Sequence, residues 1–332
     1  MSPRYSVIIP VYNRPQEVQE LLASLSTQTN KDFEIIIVED GSAQDCKSEV
    51  EQYLPQLDIK YFYKENTGPG DSRNFGMSKA QGEYLIFFDS DCLIPDHYFE
   101  AVETALNQRN LDAYGGPDRA HESFTNIQKA INYAMTSFIT TGGIRGSKQQ
   151  LDRFQPRSFN MGLKQAVYAK IGGFSDVHPG EDPDLSYRIQ NAGYQTGLIP
   201  EAFVYHKRRI DFSKFRTQVY KFGVARTILM KWHPQSFKKV YFFPSLALLG
   251  TLVLLVAGAF NPIWWWPLGI GLVILMVDAL RQTKSMTITL MAVWATAVQI
   301  FGYGWGFLKG FWYLHILKKD ARQSLPKMFF KG

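Results

Sequence analysis

Tyr84-Leu85-Ile86-Phe87-Phe88-Asp89-Ser90-Asp91 is the stretch that decides the fold. Five apolar, β-prone residues run straight into two acids separated by one serine, which reads as a buried strand delivering carboxylates to its end. The same pattern occurs upstream: residues 5–10, 33–38 and 59–63 are short β-branched and aromatic runs. Between them, residues 15–27, 44–54 and 70–80 have helix-compatible spacing. Pro15 suits a first helical position and Gly82 a stop after the third helix. Strand–helix alternation of this kind predicts an α/β fold with a doubly wound, mostly parallel sheet and helices on both faces. In such sheets ligands bind beyond the carboxyl ends of the strands. The polar residues just after each strand are therefore the candidate site.

Four such places stand out. Asp89 and Asp91, spaced to point the same way in extended chain, would converge on a hard cation such as Mg²⁺ or Mn²⁺. Asp40, in Glu39-Asp40-Gly41-Ser42, would accept a hydrogen bond from a base or ribose; its bland alternative is to cap the helix that follows. Pro10 and Tyr12 close the first strand, and Tyr12 offers a flat face to a base. Asn66-Thr67-Gly68-Pro69-Gly70-Asp71-Ser72-Arg73 combines close-approach glycines with a cation for an acid or phosphate.

The first ~235 residues have globular composition, whereas apolar residues dominate from Val240 onward. Residues 240–260, 262–280 and 286–308 each reach membrane length, with Trp264-Trp265-Trp266 placed like an interfacial belt. Lys238, Lys239, Arg281 and Lys284 put both ends of the first two segments inside, and the tail (Lys318, Lys319, Arg322, Lys327, Lys331) also wants to be inside. Three crossings would put that tail outside, so the charges favour a third segment that is re-entrant or interfacial. Residues 211–235 mix Lys and Arg with Phe, Tyr and Leu and read as an amphipathic helix at the membrane surface, with Ser213 as its N-cap. An ordinary surface helix is the alternative. The formal charge of +6 clusters near these segments, which points to anionic membrane lipids and not to nucleic acid. Two cysteines, Cys46 and Cys92, in no ligand spacing, argue for a reducing compartment. No signal-like apolar stretch precedes residue 5, so the first domain is expected on the cytoplasmic side of an inner membrane.

Taken together, these motifs resemble the family 2 glycosyltransferases of the GT-A fold. The second half extends the likeness: Arg157-Ser158-Phe159-Asn160, Ile171-Gly172-Gly173-Phe174, Gly180-Glu181-Asp182-Pro183-Asp184, and His206 after the strand-like 202–205. The resemblance spans roughly residues 5–209 and implies a division at about 115 between a nucleotide-sugar half and an acceptor half ending near 210. It implies that Pro10, Tyr12, Asp40, Arg73, Asp89 and Ser90 surround a UDP- or GDP-linked sugar. Asp91, Asp89 and His206 would hold the metal, Asp182 would be the catalytic base, and Glu181 and Asp184 would face the acceptor. Asp182 precedes Pro183, so a helix N-cap is its competing role, and a structural histidine is that of His206. Arg14 stands where many members carry an acid, and the Gln-x-x-Arg-Trp motif of processive members does not occur at the required spacing. The implied activity is inverting transfer of one sugar to a hydroxyl, on a lipid-linked or other glycan acceptor in cell-surface polysaccharide assembly. A polyprenyl-phosphate sugar synthase and an idle nucleotide-sugar-binding scaffold are the alternatives. Residues 118–155, least like the family, are expected to face the acceptor.

Overall fold

The computed structural model describes residues 2–119, 124–142, 154–206 and 211–330. Along the chain run β1 (Tyr5–Val11), α1 (Pro15–Ser26), β2 (Phe33–Asp40), α2 (Lys47–Glu51), β3 (Ile59–Lys64), α3 (Pro69–Lys79), β4 (Tyr84–Phe88), β5 (Cys92–Leu93) and α4 (Tyr98–Gln108). There follow β6 (Ala113–Gly115), β7 (Asp118–Arg119), α5 (Asn126–Thr136), α6 (Phe138–Thr141), β8 (Asn160–Lys164), α7 (Gln165–Ile171), α8 (Glu181–Asn191), β9 (Thr196–Leu198) and β10 (Val204–His206). The C-terminal part is helical: α9 (Phe212–Trp232), α10 (Phe243–Phe260), α11 (Trp266–Thr283), α12 (Met286–Phe311) and α13 (Ala321–Ser324).

By internal contacts the chain forms two compact units. The first holds residues 1–121, 151–206 and 329–332, and the second residues 122–150 and 207–328. The stretch 122–150, part of the acceptor half by sequence pattern, thus groups with the C-terminal helices. Of residues 118–155, 120–123 and 143–153 lie outside those described, as do 207–210, where the expected domain boundary falls.

The first unit is built on a seven-stranded sheet in the order β3-β2-β1-β4-β8-β6-β9, parallel except for the pairs β8 makes with β4 and β6. Alternation sorts its side chains to two faces. Val7, Ile9, Ile35, Ile37, Ile86 and Phe88 pack under α1 and α4 on one side. Ile8, Ile36, Val38, Leu85 and Phe87 meet α3, α7 and α8 on the other. With each such side chain contributing about 1.5–3 kcal/mol on full burial, this double core fixes the register of the central strands. The strand order reverses between β1 and β4, which opens a crevice at their carboxyl ends. Gly82 does not stop α3, which ends at Lys79. A Cβ there would lie 2.7 Å from the Ser6 backbone nitrogen, so Gly82 lets the chain pass close to β1.

In the second unit, three helical stretches are long and apolar enough to cross a membrane: Lys239–Phe260, Pro262–Thr283 and Met286–Ile316. The glycines of the third do not break it. α12 is continuous, and those glycines line a close seam with α9 and the start of α10. A Cβ on Gly306 would come within 2.2 Å of the Tyr220 carbonyl oxygen, and one on Gly223 within 2.2 Å of that of Tyr303. α9 buries Phe215, Val219, Val224, Ile228 and Leu229. Asp211, not Ser213, caps it by accepting from the Lys214 N–H at 2.7 Å. Asp278 of α11 accepts from Tyr133 Oη at 2.6 Å and Ser137 Oγ at 2.8 Å, tying α5 to that helix.

Candidate active site

The acids after β4 converge by a route other than strand pleating. β4 ends at Phe88, and Asp89–Asp91 form a tight turn closed by the Cys92 N–H to the Asp89 carbonyl at 3.1 Å. A small second sheet, β5-β10-β7, then sets His206 opposite Cys92. His206 Nε2 consequently lies 3.1 Å from Asp91 Oδ1 and 3.8 Å from Asp89 Oδ2. From the β1 side, Arg14 donates a short hydrogen bond to Asp91 Oδ2. Burial opposes charge on Asp91, but His206 and Arg14 outweigh it and hold the carboxyl well below the usual range.

The donor set suits a divalent cation. Asp91 Oδ1 is sealed from solvent and faces His206 Nε2 at 3.1 Å, so an ionised oxygen and an imidazole nitrogen meet at one buried point where a cation could be held. Two carboxylates with an imidazole suit Mn²⁺ better than Mg²⁺, which prefers all-oxygen surroundings. Cys92 Sγ lies close by. Its thiol is pushed far up, by burial first and by the two aspartates next, and sulfur suits hard ions poorly.

Arg73, on the second turn of α3, joins the two halves of the site. Its guanidinium donates to Asp89 Oδ1 at 2.6 Å and reaches Glu181 Oε1 at 3.5 Å. Glu181 also receives the Gly180 N–H at 2.9 Å and lies 3.1 Å from His178 Nδ1. Burial disfavours its charge, but His178 and Arg73 prevail and lower the carboxyl to about 2. Asp182 is the second residue of α8 and not its N-cap, a place held by Gly180 at φ 134°. Its Oδ2 lies 3.6 Å from Arg157. Burial raises the Asp182 carboxyl above the usual range; Arg157 and Arg73 oppose this, and Glu181 and Asp89 add to it.

Other candidates are placed differently. Asp40 does not cap α2. Its Oδ1 takes Lys64 Nζ at 2.7 Å and the Thr67 N–H at 3.0 Å, and its Oδ2 takes the Gly68 N–H at 2.9 Å. It therefore shapes the loop before α3. Asp184 Oδ2 accepts from Arg188 at 3.0 Å, and Arg188 in turn holds the Ile171 and Gly173 carbonyls. Asp184 thus fastens α8 to the loop after α7. Pro10 is the next-to-last residue of β1 beside Val38, Ser90 is buried in the acidic turn, and Tyr12 stands 54% exposed. The neighbouring Asn13, in left-handed conformation at φ 53°, binds the Ala43 and Gln44 N–H groups and locks the β1 and β2 loops together.

Four residues near the site carry no role in the sequence reading: Arg14, Arg157, His178 and Phe330. Arg14 was visible as a departure from the family pattern, and Arg157 opens one of its motifs. The last two gave no signal. Phe329 pairs with Val177 in an isolated antiparallel bridge, and the Phe330 N–H donates to the Asp176 carbonyl at 3.1 Å. The Phe330 ring then packs on Gly68, where a Cβ would be 2.3 Å away, and stands 5.5 Å from His178. Residues near the C-terminus thus touch both the loop that Asp40 shapes and the segment that holds Glu181.

Comparison with known proteins agrees with this fold. Over 144 residues the chain is 32% identical to an uncharacterized glycosyltransferase of Rickettsia bellii, covering 43% of this chain and 20% of that protein. Over 115 residues it is 35% identical to the GalNAc(5)-diNAcBac-PP-undecaprenol beta-1,3-glucosyltransferase of Campylobacter jejuni, covering 34% and 36%. The chain therefore spans only a fifth to a third of these relatives' length. A mannosyltransferase of Pyrobaculum calidifontis, solved with GDP-Man and Mn²⁺, superposes with a TM-score of 0.63 at 19% identity over 91% of this chain and 88% of that one, which establishes the GT-A fold. The model for Glycosyl transferase family 2 matches residues 6–171, half of the sequence. With its site at the carboxyl ends of β1 and β4 and that match across it, the chain belongs to the family 2 glycosyltransferases.

Proposed function

We propose that this glycosyltransferase is inverting and metal-dependent, and that it moves one sugar from a nucleoside diphosphate sugar to a hydroxyl of a lipid-linked glycan at the cytoplasmic face of a membrane. The observation that carries the reading is the pairing of an ionised acidic turn with a carboxyl held above its usual range. Asp91 is kept charged by His206 and Arg14, while Asp182, on the other side of Arg73, is raised by burial. Those are the opposite demands of a cation ligand and a general base.

In this mechanism Asp91, Asp89 and His206 would hold a divalent cation, Mn²⁺ or Mg²⁺, which would supply positive charge beside the leaving diphosphate. Asp182 takes the proton from the acceptor hydroxyl as its oxygen attacks the anomeric carbon, and a single displacement inverts that centre. Arg73 orients Asp89 and Glu181 across the crevice. Arg14 covers the Asp91 charge and is placed to meet a phosphate oxygen. Tyr12 offers its exposed ring to the base, beside the Asn13–Ala43 clamp. The Campylobacter relative's name supports a lipid-linked acceptor, and the three apolar helices support a membrane location. The Pyrobaculum neighbour supports divalent metal use.

Arg157 favours a second reading. A guanidinium 3.6 Å from the base is also a seat for an anionic acceptor, as in a polyprenyl-phosphate sugar synthase. A phosphate oxygen needs no strong base. The deciding experiment presents membranes holding the full chain with a panel of UDP- and GDP-sugars and follows release of nucleoside diphosphate with and without Mn²⁺. Asp182→Asn should abolish turnover on a hydroxyl acceptor. Turnover that survives this change on a polyprenyl phosphate would establish the second reading, and release indifferent to metal would reject the first.

A further inference from the structure

α10 and α11 touch the rest of their unit at one end only. In α10, Ser245 and Leu248 are buried, whereas Leu252, Val253, Leu255, Val256 and Phe260 are exposed. In α11, Ala279 is buried near the C-terminal end, and Ile270, Leu272, Val273 and Ile274 are exposed. The tip of the pair is closed where Trp265 packs on Gly258. α12 meets both bases of this hairpin. Near its start, Ile288 and Ala292 pack with Ala279 and Leu275. Sixteen residues later, Gly304 lies against Pro244, and Ser245 Oγ donates to its carbonyl at 3.1 Å. That interval is about 24 Å of helix laid across the open end of the hairpin, where a helix running alongside its partners would climb toward the tip.

The exposed face of α12 and its continuation carries Leu290, Trp294, Phe301, Trp305, Trp312 and Ile316. Their spacing of four and seven residues keeps them on one stripe. The opposite side is covered by α5 and α9 through Ala295, Phe215, Val219 and Ile131. α10 and α11 also expose apolar side chains, and Lys284, Lys309 and Lys318 are exposed on or beside α12. Tryptophan on one face with flanking lysines is the pattern of helices seated in the head-group region.

We propose that α12 lies in the plane of the membrane and docks its tryptophan stripe into the head-group layer of an anionic bilayer, while α10 and α11 alone enter the hydrocarbon. This rests on the membrane location proposed above. It accounts for the basic tail, because a helix that does not cross leaves Lys318, Lys319 and Arg322 on the same side as the first unit.

The test places single probes in the full chain by Leu290→Cys, Phe301→Cys and Trp312→Cys on α12, and Val253→Cys and Val273→Cys on the hairpin. The native Cys46 and Cys92 are buried and add little background. Depth is read by collision with lipid-soluble and water-soluble relaxants in phosphatidylcholine–phosphatidylglycerol vesicles. The expected result is one shallow depth, within about 5 Å, for the three α12 probes and deeper positions on the hairpin. A crossing α12 would spread its probes over about 33 Å and overturn the proposal. If the hairpin probes also stay in water, the membrane location itself fails. A C-terminal tag reached by protease from the side opposite the first unit would reject the in-plane helix while leaving that location intact.

Discussion

Asp182 is raised by burial and restrained by Arg157, and the sign of each influence makes a pH prediction. A general base works only when deprotonated, so the acid limb of kcat/KM should lie above the ordinary aspartate value of about 3.9. Arg157→Met removes the nearest cation that lowers this carboxyl, so the limb should move to higher pH; a limb that stays put would separate Asp182 from the profile. Asp182→Asn should cost about 10²–10⁴ in kcat on a hydroxyl acceptor. Asp91 yields a readout independent of turnover. Mn²⁺ at a hundred times its dissociation constant should stabilise the folded chain by about 2.7 kcal/mol in thermal melts, and Asp91→Ala should erase that gain. Glu181, lowered from 4.5 to about 2, contributes stability that is full above pH 4.5 and lost as pH falls toward 2. By linkage this is at most about 3 kcal/mol, so Glu181→Gln should destabilise at pH 7 and hardly at pH 2. Asp89 and Asp91 were legible in the sequence because they follow an apolar strand, whereas Glu181 and Asp182 were legible only through the family resemblance. Their partners were not: Arg14 and Asp91 are 77 residues apart, and Arg73 and Glu181 are 108.

At the level of elements, local pattern located the first four strands to within two residues, since β-branched runs buried on both faces leave little choice of period, but it missed the short strands β5 to β9. Helix 44–54 shrank to Lys47–Glu51 because tertiary bonds take its first turn. Asn13 holds the Ala43 and Gln44 N–H groups, and Glu39 holds that of Cys46 at 3.0 Å. By spacing alone Gly302, Gly304 and Gly306 interrupt their apolar segment, because spacing does not show whether a neighbouring backbone fills the gap. Here α9 fills it, which gives a contrast between two sets of glycines. Gly306→Val or Gly223→Val forces a side chain into backbone 2.2 Å away, so each should lower the melting temperature of the detergent-solubilised chain and its yield. Gly269→Ala and Gly271→Ala on α11 meet nothing within 4 Å and should leave both unchanged or slightly improved. Equal losses at the two sets would mean that the seam does not govern the stability of this unit.

For the whole molecule, what the sequence concealed is that the catalytic unit is discontinuous. The family resemblance implies a continuous domain to about residue 210, yet the compact unit leaves the chain at 121, returns at 151 and recovers residues 329–332 from beyond the helices. No compositional signal marks Phe329 and Phe330, because their value lies in what they meet: the bridge to Val177 and the face of Gly68. Gly68 lies between the Asp40 carboxylate and the N-terminus of α3, the helix that carries Arg73. Losing the Phe330 ring should loosen that loop and weaken binding of the nucleotide sugar before it affects the chemistry. A chain ending at residue 211 keeps the sheet and every candidate ligand and base, but lacks this strap. It should bind nucleotide sugar about tenfold more weakly than the full chain, which corresponds to roughly 1.4 kcal/mol. Phe330→Ala in the full chain should reproduce most of that loss as a higher KM with kcat nearly retained, and Phe330→Tyr should restore it. Equal affinity in the full chain, the shortened chain and Phe330→Ala would show that the site is complete within its first 206 residues and that the strap serves only to anchor the tail.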